Sequence, residues 1–255
     1  MDKLSTTVPN VDISSEYDAV TRAVVGQPVG EMYAPVPLLS PNGKIVVSGT
    51  TGIPQASQKL GDFGSTMYKY MMGMTNTFTY KNWQLSGSLD FRYGGVMYSG
   101  TSDLLLFTGN GKATGYNNRR PFIVPNSVVA STDVAGNTVY SENQTVISTA
   151  NYYTYFYPTT NPGTSYYQRI IDKSFLKLRT VALSYKLPER WAAKVLANQA
   201  SIGVYAKNIL LWTPKSNMYL DPEGTNLGND LGGEIGEFIA APTSESFGAT
   251  LKITF

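Results

Sequence analysis

The most constraining feature of this sequence is the stretch Ser246 to Phe255, where apolar and polar residues alternate without a break. A period of two predicts a β-strand with one apolar and one polar face. The apolar set is Phe247, Ala249, Leu251, Ile253 and Phe255. The ten residues are also enough for a strand tilted by about 45° to cross a bilayer. We therefore predict a membrane-spanning strand at this position.

Two further alternating segments are separated by only two residues. The first covers 67–80, the second covers 83–94, and Lys81-Asn82 lies between them. This spacing predicts a β-hairpin with a very short turn. Tyr80 and Trp83 flank the turn, where a membrane barrel carries one of its aromatic girdles.

A third alternating segment, 173–187, changes phase part-way along. In an unbroken strand, the charged residues Lys177 and Arg179 would share a face with Val181 and the other apolar residues that follow. A β-bulge near Thr180 would remove this conflict, because one extra residue shifts the earlier half of the strand by one position. We predict such a bulge.

The remaining segments complete a pattern of short and long connections. A short helix over 189–197 and a fourth strand over 200–212 follow the third strand. The segments 95–172 and 213–244 have no sustained period and are predicted as long loops. Alternation of short turns with long loops is typical of an up-and-down membrane barrel, whose outer loops are the long ones.

The predicted fold is therefore all-β, a transmembrane antiparallel β-barrel segment with long extracellular loops. Residues 1–66 are predicted to be an extracellular loop region with short irregular strands, and 67–255 a single domain of C-terminal barrel strands. Five or six strands are too few for closure, since small barrels need about eight. Open edges in lipid cost several kcal/mol for each unsatisfied backbone group. The chain is thus either a fragment of a larger barrel or is completed by another chain.

Composition excludes several classes of function. The 255 residues contain no cysteine and no histidine, which excludes disulfide scaffolds, thiolate metal sites and catalytic sites built on Cys or His within this chain. Charged residues make up 15% and the formal net charge is +2, so nothing indicates nucleic-acid binding. No apolar run is long enough for a transmembrane helix. We expect no enzymatic activity and no cofactor.

Several segments together resemble the C-terminal part of the SusC/RagA-type TonB-dependent (TonB-linked) outer membrane transporters, and the resemblance covers about residues 18–255. The most specific segment is 174–188, S-F-L-K-L-R-T-V-A-L-S-Y-K-L-P. The others are Val25-Gly26-Gln27-Pro28-Val29-Gly30, Tyr80-Lys81-Asn82-Trp83, Gly94-Gly95, Lys207-Asn208-Ile209-Leu210-Leu211-Trp212-Thr213, Asp221-Pro222-Glu223 and Ser246 to Phe255.

The resemblance implies a barrel of about 22 antiparallel strands around a plug, with this chain supplying the last five or six strands. It implies location in the cell outer membrane of a Gram-negative bacterium and TonB-dependent import of oligosaccharides or peptides. The implied partners are a SusD-like surface lipoprotein, TonB through the rest of the transporter, the remaining barrel and plug segments, and the lipid bilayer. It also implies that Phe255 is a barrel-assembly signal.

Tyrosines in the long loop are the first candidates for substrate binding. Their rings can stack on sugar faces, and their hydroxyls can form hydrogen bonds. An aromatic girdle, or packing against a partner, is the alternative role. The candidates are Tyr152, Tyr153, Tyr155, Tyr157, Tyr166 and Tyr167.

Charged residues form a second group of candidates. Asp221 and Glu223 lie in a Gly-rich loop and could offer oxygen ligands to Ca²⁺, although their spacing favours a role in loop packing. Charges on the polar faces of strands would face a lumen, where they tune a channel or hold a plug. The predicted lumen-facing residues are Lys69, Asp90, Arg92, Lys207 and Lys252.

An alternative function stays open at this point. The same strands could belong to an outer-membrane structural or surface-binding β protein without transport activity, such as a sandwich adhesin. Sandwich strands are also half buried, but they rarely carry Tyr and Trp at both ends. Solubility without detergent would favour this alternative.

Overall fold

The computed structural model describes residues 10–16, 19–158, 166–228 and 230–255. Its strands, in chain order, are β1 Asn10–Glu16, β2 Ala19–Val24, β3 Val29–Pro37, β4 Ile45–Val47, β5 Ala56–Ser65, β6 Tyr70–Tyr80, β7 Trp83–Tyr93, β8 Val96–Ser99, β9 Ser127–Thr132, β10 Thr138–Glu142, β11 Ile170–Asp172, β12 Phe175–Lys186, β13 Gln199–Trp212, β14 Gly236–Glu237 and β15 Ser246–Thr254. Helices are α1 Gly100–Phe107, α2 Tyr152–Phe156 and α3 Glu189–Ala192, with 3-10 helices at Lys112–Arg119, Tyr166–Arg169, Ala193–Val195 and Gly233–Ile235. Across the described ranges, no helix has the length and apolarity needed to span a membrane.

The described residues divide into two compact units, each assembled from several stretches of the chain. The first unit takes its residues from 1–67, 96–171 and 225–240, and the second unit from 68–95, 172–224 and 241–255. The predicted loop 95–172 thus falls almost wholly in the first unit, whereas the predicted loop 213–244 is divided between the two units. The extracellular placement of residues 1–66 stays a prediction.

The second unit is built on one five-stranded sheet in the order β15-β13-β12-β7-β6. Every neighbouring pair in this sheet is antiparallel. The four predicted strands and the terminal strand are therefore confirmed, as is the hairpin of β6 and β7. Its two-residue turn begins at Lys81, which adopts a left-handed conformation with φ of 54°, as short hairpin turns require.

The predicted bulge in the third strand is present. The pairing of β12 with β7 shifts between Leu178 and Thr180, and the pairing with β13 shifts at the same place. Arg179 is thus the extra residue in β12. Because of the shift, Leu178 lies opposite Leu89 and joins the apolar face, as the sequence pattern required.

The five strands share one continuous apolar face. Across the middle of the sheet, Met74, Leu89, Leu178 and Leu210 lie opposite one another on successive strands. Toward the turn end, the same face carries Phe78, Leu85, Leu183, Val204 and Ala249. Large side chains on this face are open, with Phe78 67% and Leu251 65% exposed. A sheet with an uncovered apolar face needs a non-aqueous environment on that side.

Aromatic side chains mark both ends of this face. At the turn end, the rings of Trp83 and Tyr185 lie 4.6 Å apart. At the opposite end, the rings of Tyr70 and Tyr93 stack at 6.2 Å. Each strand of the hairpin has 11 residues, which gives a height of about 26 Å at a tilt of about 45°. This height matches the apolar band of membrane barrels, which is about 25 Å tall.

The first unit has more regular structure than its sequence predicts. It contains a four-stranded sheet β1-β2-β3-β5 and two small three-stranded sheets, β10-β9-β4 and β11-β8-β14. Residues 1–66 were expected to hold only short irregular strands, but β3 and β5 have nine and ten residues. Pro35 and Pro37 lie where the register of β3 against β5 shifts. Prolines are tolerated at such irregularities, and this explains why their presence did not prevent a strand.

Two apolar clusters hold the first unit together. The first joins β2, β3 and β8 through Ala19, Met32, Ala34 and Tyr98, together with Ile235. The second joins the long segment 95–172 to β4, and its buried members are Val47, Phe122, Val124, Ile147, Tyr152 and Phe156. The segment 95–172 is therefore a folded structure with its own core. The prediction of an irregular loop at this position is wrong.

Candidate functional site: a charged cluster on the polar face of the sheet

Four charged residues of two neighbouring strands meet on the polar face of the five-stranded sheet. Strand pairing sets Lys177 directly opposite Asp90, and Arg92 lies two residues further along the same strand. The bulge adds Arg179, whose side chain forms an ion pair with Asp90. Lys177 and Arg179 share one face by the strand period of two, and the bulge at Arg179 lets Val181 lie on the opposite, apolar face.

A loop folds back onto these strands and supplies two carboxylates. Nζ of Lys177 lies 2.5 Å from Oδ2 of Asp221 and 2.6 Å from Oε2 of Glu223. The other carboxylate oxygen of Glu223 accepts from Arg179 and lies 3.1 Å from the guanidinium of Arg92. Thr243 donates its hydroxyl to Asp221. The cluster therefore ties two separate parts of the 213–245 connection to the strands.

The cluster is electrically balanced, and its centre is buried while its other members are partly exposed. Lys177 is 2% exposed and Asp221 is 8% exposed. Three positive groups, Arg92, Lys177 and Arg179, face three negative groups, Asp90, Asp221 and Glu223. Removing one partner of such a group leaves a buried charge unpaired, which typically costs about 3–5 kcal/mol. These ion pairs hold the 213–245 connection against the strands. The cluster has no net charge with which to attract a charged substrate.

The ionised state of the loop carboxylates follows from their partners. Burial by itself would raise the pKa of the Asp221 carboxyl, but hydrogen bonds from Lys177 and Thr243 outweigh burial, and the pKa lies below its usual value. The pKa of Glu223 is lowered in the same way, with burial opposed by hydrogen bonds from Arg179 and Lys177. Both carboxylates are therefore charged at neutral pH.

This geometry favours the loop-packing role of Asp221 and Glu223 over the Ca²⁺ role. Their oxygens are taken up by an ammonium and a guanidinium group. In the part of the chain that the structure describes, no three acidic side chains come together in a way that could hold a metal ion.

Aromatic rings adjoin the cluster. The guanidinium of Arg92 lies 5.3 Å from the centroid of the Tyr68 ring and 5.4 Å from that of Phe175. Nζ of Lys173 lies 4.5 Å from the Tyr68 centroid. Cations over aromatic faces gain about 0.5–2 kcal/mol each. These contacts help to fix the position of the Arg92 side chain beside Glu223.

The other predicted lumen-facing residues lie on the polar face but apart from this cluster. Lys207 lies opposite Thr180 and Ser246, and Lys252 lies opposite Ser201. Lys69 precedes β6 and packs beneath Gly94. Phe255 follows β15 and is exposed. Whether these side chains face a lumen, and whether Phe255 is an assembly signal, stay predictions.

Sequence reasoning missed Lys177 and Arg179, which are central to the cluster. The signal was present, because these two residues created the phase conflict that predicted the bulge. The bulge fixes the polar face for both cations, and the register of β12 against β7 brings them beside Asp90. Their acidic partners in the loop lie 44 and 46 residues away along the chain, too far for a local pattern to reveal.

The predicted tyrosines have different positions in the first unit. Tyr152 is buried, and its hydroxyl donates to the carbonyl oxygens of Tyr116, at 2.5 Å, and of Thr114, at 3.1 Å. Tyr155 packs edge-to-face on Phe122. These two tyrosines therefore contribute to the core.

The remaining tyrosines are more open or lie beyond the described side chains. Tyr153 is 48% exposed. Tyr157 lies under Arg169, whose guanidinium is 5.1 Å from the ring centroid. Tyr166 and Tyr167 begin a 3-10 helix, but their side chains lie outside what the structure describes. Among the predicted tyrosines whose side chains are described, Tyr153 is the most exposed, and a ligand contact there stays a prediction.

The fold matches solved structures of one transporter. Over 99% of its length this chain is similar to the RagAB peptide transporter, with a TM-score of 0.59 at 15% identity. A second structure, the RagAB peptide importer in its "open-open" state, matches 96% of the chain with a TM-score of 0.54 at 14% identity. This chain is an all-β piece of a barrel. No protein-family profile matches it, and no curated protein does.

The similarity has a defined extent. The barrel segment spans 25% and 28% of the lengths of the two transporter chains that it matches. At this level of identity the likeness shows the fold alone.

Proposed function

We propose that this barrel segment is part of an outer-membrane importer. The apolar face of the five-stranded sheet contacts lipid, and the polar face lines the interior. The observation that carries this proposal is the uncovered apolar face, about 26 Å tall by strand length and tilt and bounded at both ends by aromatic pairs. A water-exposed sheet of this kind would aggregate.

Transport by the complete protein is supported by the fold it shares with a peptide transporter. The substrate class is oligosaccharides or peptides, and the import is TonB-dependent. A SusD-like surface lipoprotein is the proposed partner at the outer face, since the similar structures pair a transporter with a second component. Tyr153 is the tyrosine of this chain best placed to contact substrate, because its ring is half exposed.

The role of the segment itself is non-catalytic. The charged cluster is self-neutralised, and the Asp221 carboxylate that accepts from the Thr243 hydroxyl is already paired with Lys177. The cluster positions the 213–245 connection against the wall, so that the loop keeps one conformation while substrate passes. The structures that the chain resembles are transporters, which agrees with a protein that is not an enzyme.

The test uses the full-length protein in cells. Labelled oligopeptides and oligosaccharides are offered outside, and their accumulation in the periplasm is measured with and without TonB. Accumulation that disappears with TonB or with the full-length gene supports the proposal. A protein that reaches the outer membrane in normal amount but changes the uptake of neither class would instead be a structural or surface-binding protein.

A further inference from the structure

A glycine and a tyrosine face each other where the terminal strand β15 joins the sheet. Gly248 of β15 lies directly opposite Tyr205 of β13, on the polar face. The Tyr205 ring covers the glycine so closely that a Cβ atom added at Gly248 would lie 2.5 Å from Cζ and from the hydroxyl oxygen of the tyrosine. Carbon atoms in contact lie about 3.5–4.0 Å apart. The ring therefore occupies the space that a side chain at position 248 would need.

A lysine adjoins the same ring. Lys207 follows Tyr205 by two residues in β13, so both side chains lie on the same face. Nζ of Lys207 lies 5.4 Å from the centroid of the Tyr205 ring. A cation at this distance from an aromatic face is attracted to it. The ring thus contacts a glycine across the strands and a cation along its own strand, and both contacts favour the observed orientation.

The alternating pattern of β15 does not by itself fix the register of this strand against β13. A shift by one residue would turn every side chain to the wrong face, but a shift by two residues would keep each one on its own face. After a shift by two residues, Val204 would lie opposite Leu251 or Phe247, which are as apolar as its present partner. A feature other than alternation must therefore select the observed register.

The position of the glycine distinguishes the possible registers. Gly248 is the only glycine of β15. The residues two positions away on the same face are Ser246 and Thr250. Either shift would therefore place a side chain opposite Tyr205, in the space that the ring now occupies. The observed register is the one that gives the ring a partner without a side chain.

The register of β15 also decides where the residues before it lie. A shift by two residues moves the strand by about 6.8 Å, which is about twice the length of a hydrogen bond. Nδ2 of Asn208 donates to the carbonyl oxygen of Ser244 at 3.3 Å. The hydroxyl of Thr243 donates to Asp221 in the charged cluster. A displacement of that size would break both hydrogen bonds.

We propose that the contact of Tyr205 with Gly248 selects the register of β15 and thereby positions Thr243 against Asp221. Tyr205 is thus a positioning residue, which acts on the charged cluster through the terminal strand. The proposal does not depend on import, because it concerns strand pairing within the second unit.

The test reads the register from disulfide formation. The chain has no cysteine, and any cysteine elsewhere in the full-length protein is replaced first. Ser201→Cys with Lys252→Cys reports the observed register, since these residues lie directly opposite each other and a disulfide needs Cα atoms about 4.4–6.8 Å apart. Ser201→Cys with Thr250→Cys, or with Thr254→Cys, reports a shift by two residues in either direction. The full-length protein is oxidised in isolated outer membranes, and mass spectrometry measures the links.

We expect Tyr205→Ala to raise the ratio of shifted to unshifted links at least fivefold, and Tyr205→Phe, which keeps the ring, to leave the ratio unchanged. Gly248→Ala should raise the ratio as well, but should add little in the Tyr205→Ala background, where the ring is already absent. Gly73→Ala is the matched control. This glycine lies on the polar face opposite Asp90, with open space around it, and its substitution should not change the ratio.

A second readout follows the position of Thr243. Protease cleavage within 241–245 should be at least fivefold faster in Tyr205→Ala than in Tyr205→Phe. An unchanged link ratio in Tyr205→Ala would overturn the proposal at any outer-membrane abundance, because links are measured only in assembled molecules. An equal rise in Tyr205→Phe or Gly73→Ala would also overturn it, since a general loss of stability would then be the cause. A raised ratio without faster cleavage would refute the positioning of Thr243.

Discussion

The orientation of the sheet can be tested with two adjacent residues of β7. Ser88 is the central residue of this 11-residue strand, and Leu89 follows it. Their depths differ by about 2.4 Å for a strand tilted by about 45°. Leu89 lies on the apolar face opposite Met74 and Leu178, whereas Ser88 lies on the polar face. An arginine introduced at either position therefore lies at nearly the same depth along the strand, but on opposite faces of the sheet.

We expect Leu89→Arg to lower the free energy of unfolding by about 2–4 kcal/mol, the cost of an arginine facing lipid at the membrane midplane. Ser88→Arg places the same group in water and should cost about 1 kcal/mol or less. The difference of about 1–4 kcal/mol corresponds to a change of about 5- to 800-fold in the folding equilibrium. It can be measured by urea titration of the full-length protein in lipid vesicles. Equal losses, or a larger loss for Ser88→Arg, would refute the assigned orientation.

Leu89→Arg would also destabilise the protein if the apolar face packed against other protein. Contact with lipid is therefore measured by a separate experiment. The chain has no cysteine, and Leu89→Cys and Ser88→Cys therefore each introduce a single thiol for a fluorescent label. Brominated lipids should quench the label at position 89 strongly and the label at position 88 weakly. Without quenching at position 89, the apolar face would not contact lipid and the barrel interpretation would be wrong.

Three further predictions concern the charged cluster and the tyrosines. Lys177→Met should destabilise the protein by about 3–5 kcal/mol and speed proteolysis within 213–224, whereas Lys215→Met should do neither; equal cleavage rates would contradict the role of the cluster. Because the pKa of Asp221 is lowered on folding, its contribution to stability should be complete above the unfolded value of about 3.9 and should fall as pH drops through the lower folded value. Unfolding titrations between pH 7 and pH 2 measure this, and the loss should be smaller in Lys177→Met, where Thr243 and Arg179 still act on the two loop carboxylates. Tyr152→Phe should cost about 1–2 kcal/mol because the carbonyls of Thr114, which is buried, and Tyr116 lose a donor, whereas Tyr153→Phe should leave the melting temperature unchanged.

Much of the second unit could be predicted from the sequence because its signals are local. Alternation over ten or more residues predicts both a strand and its two faces. The two-residue gap at Lys81-Asn82 predicts the hairpin, and the phase change at Thr180 predicts the bulge. Each signal depends on neighbours a few residues apart, where strand geometry leaves few alternatives.

Other features depended on tertiary structure. The strands β3 and β5 were missed because Gly and Pro weaken local propensity, while pairing across the sheet overrides it. Tyr152 and Tyr153 are adjacent and chemically identical, yet one is buried and the other half exposed. Only the position of α2 in the first unit distinguishes them.

What the sequence alone determined is the existence, length and two-sidedness of the five strands of the second unit's sheet, because a period of two is a property of the local backbone. What only the tertiary structure decided is which charges neutralise one another. Lys177 meets Asp221 and Glu223 across more than 40 residues of chain, and long-range ion pairs leave no periodic trace.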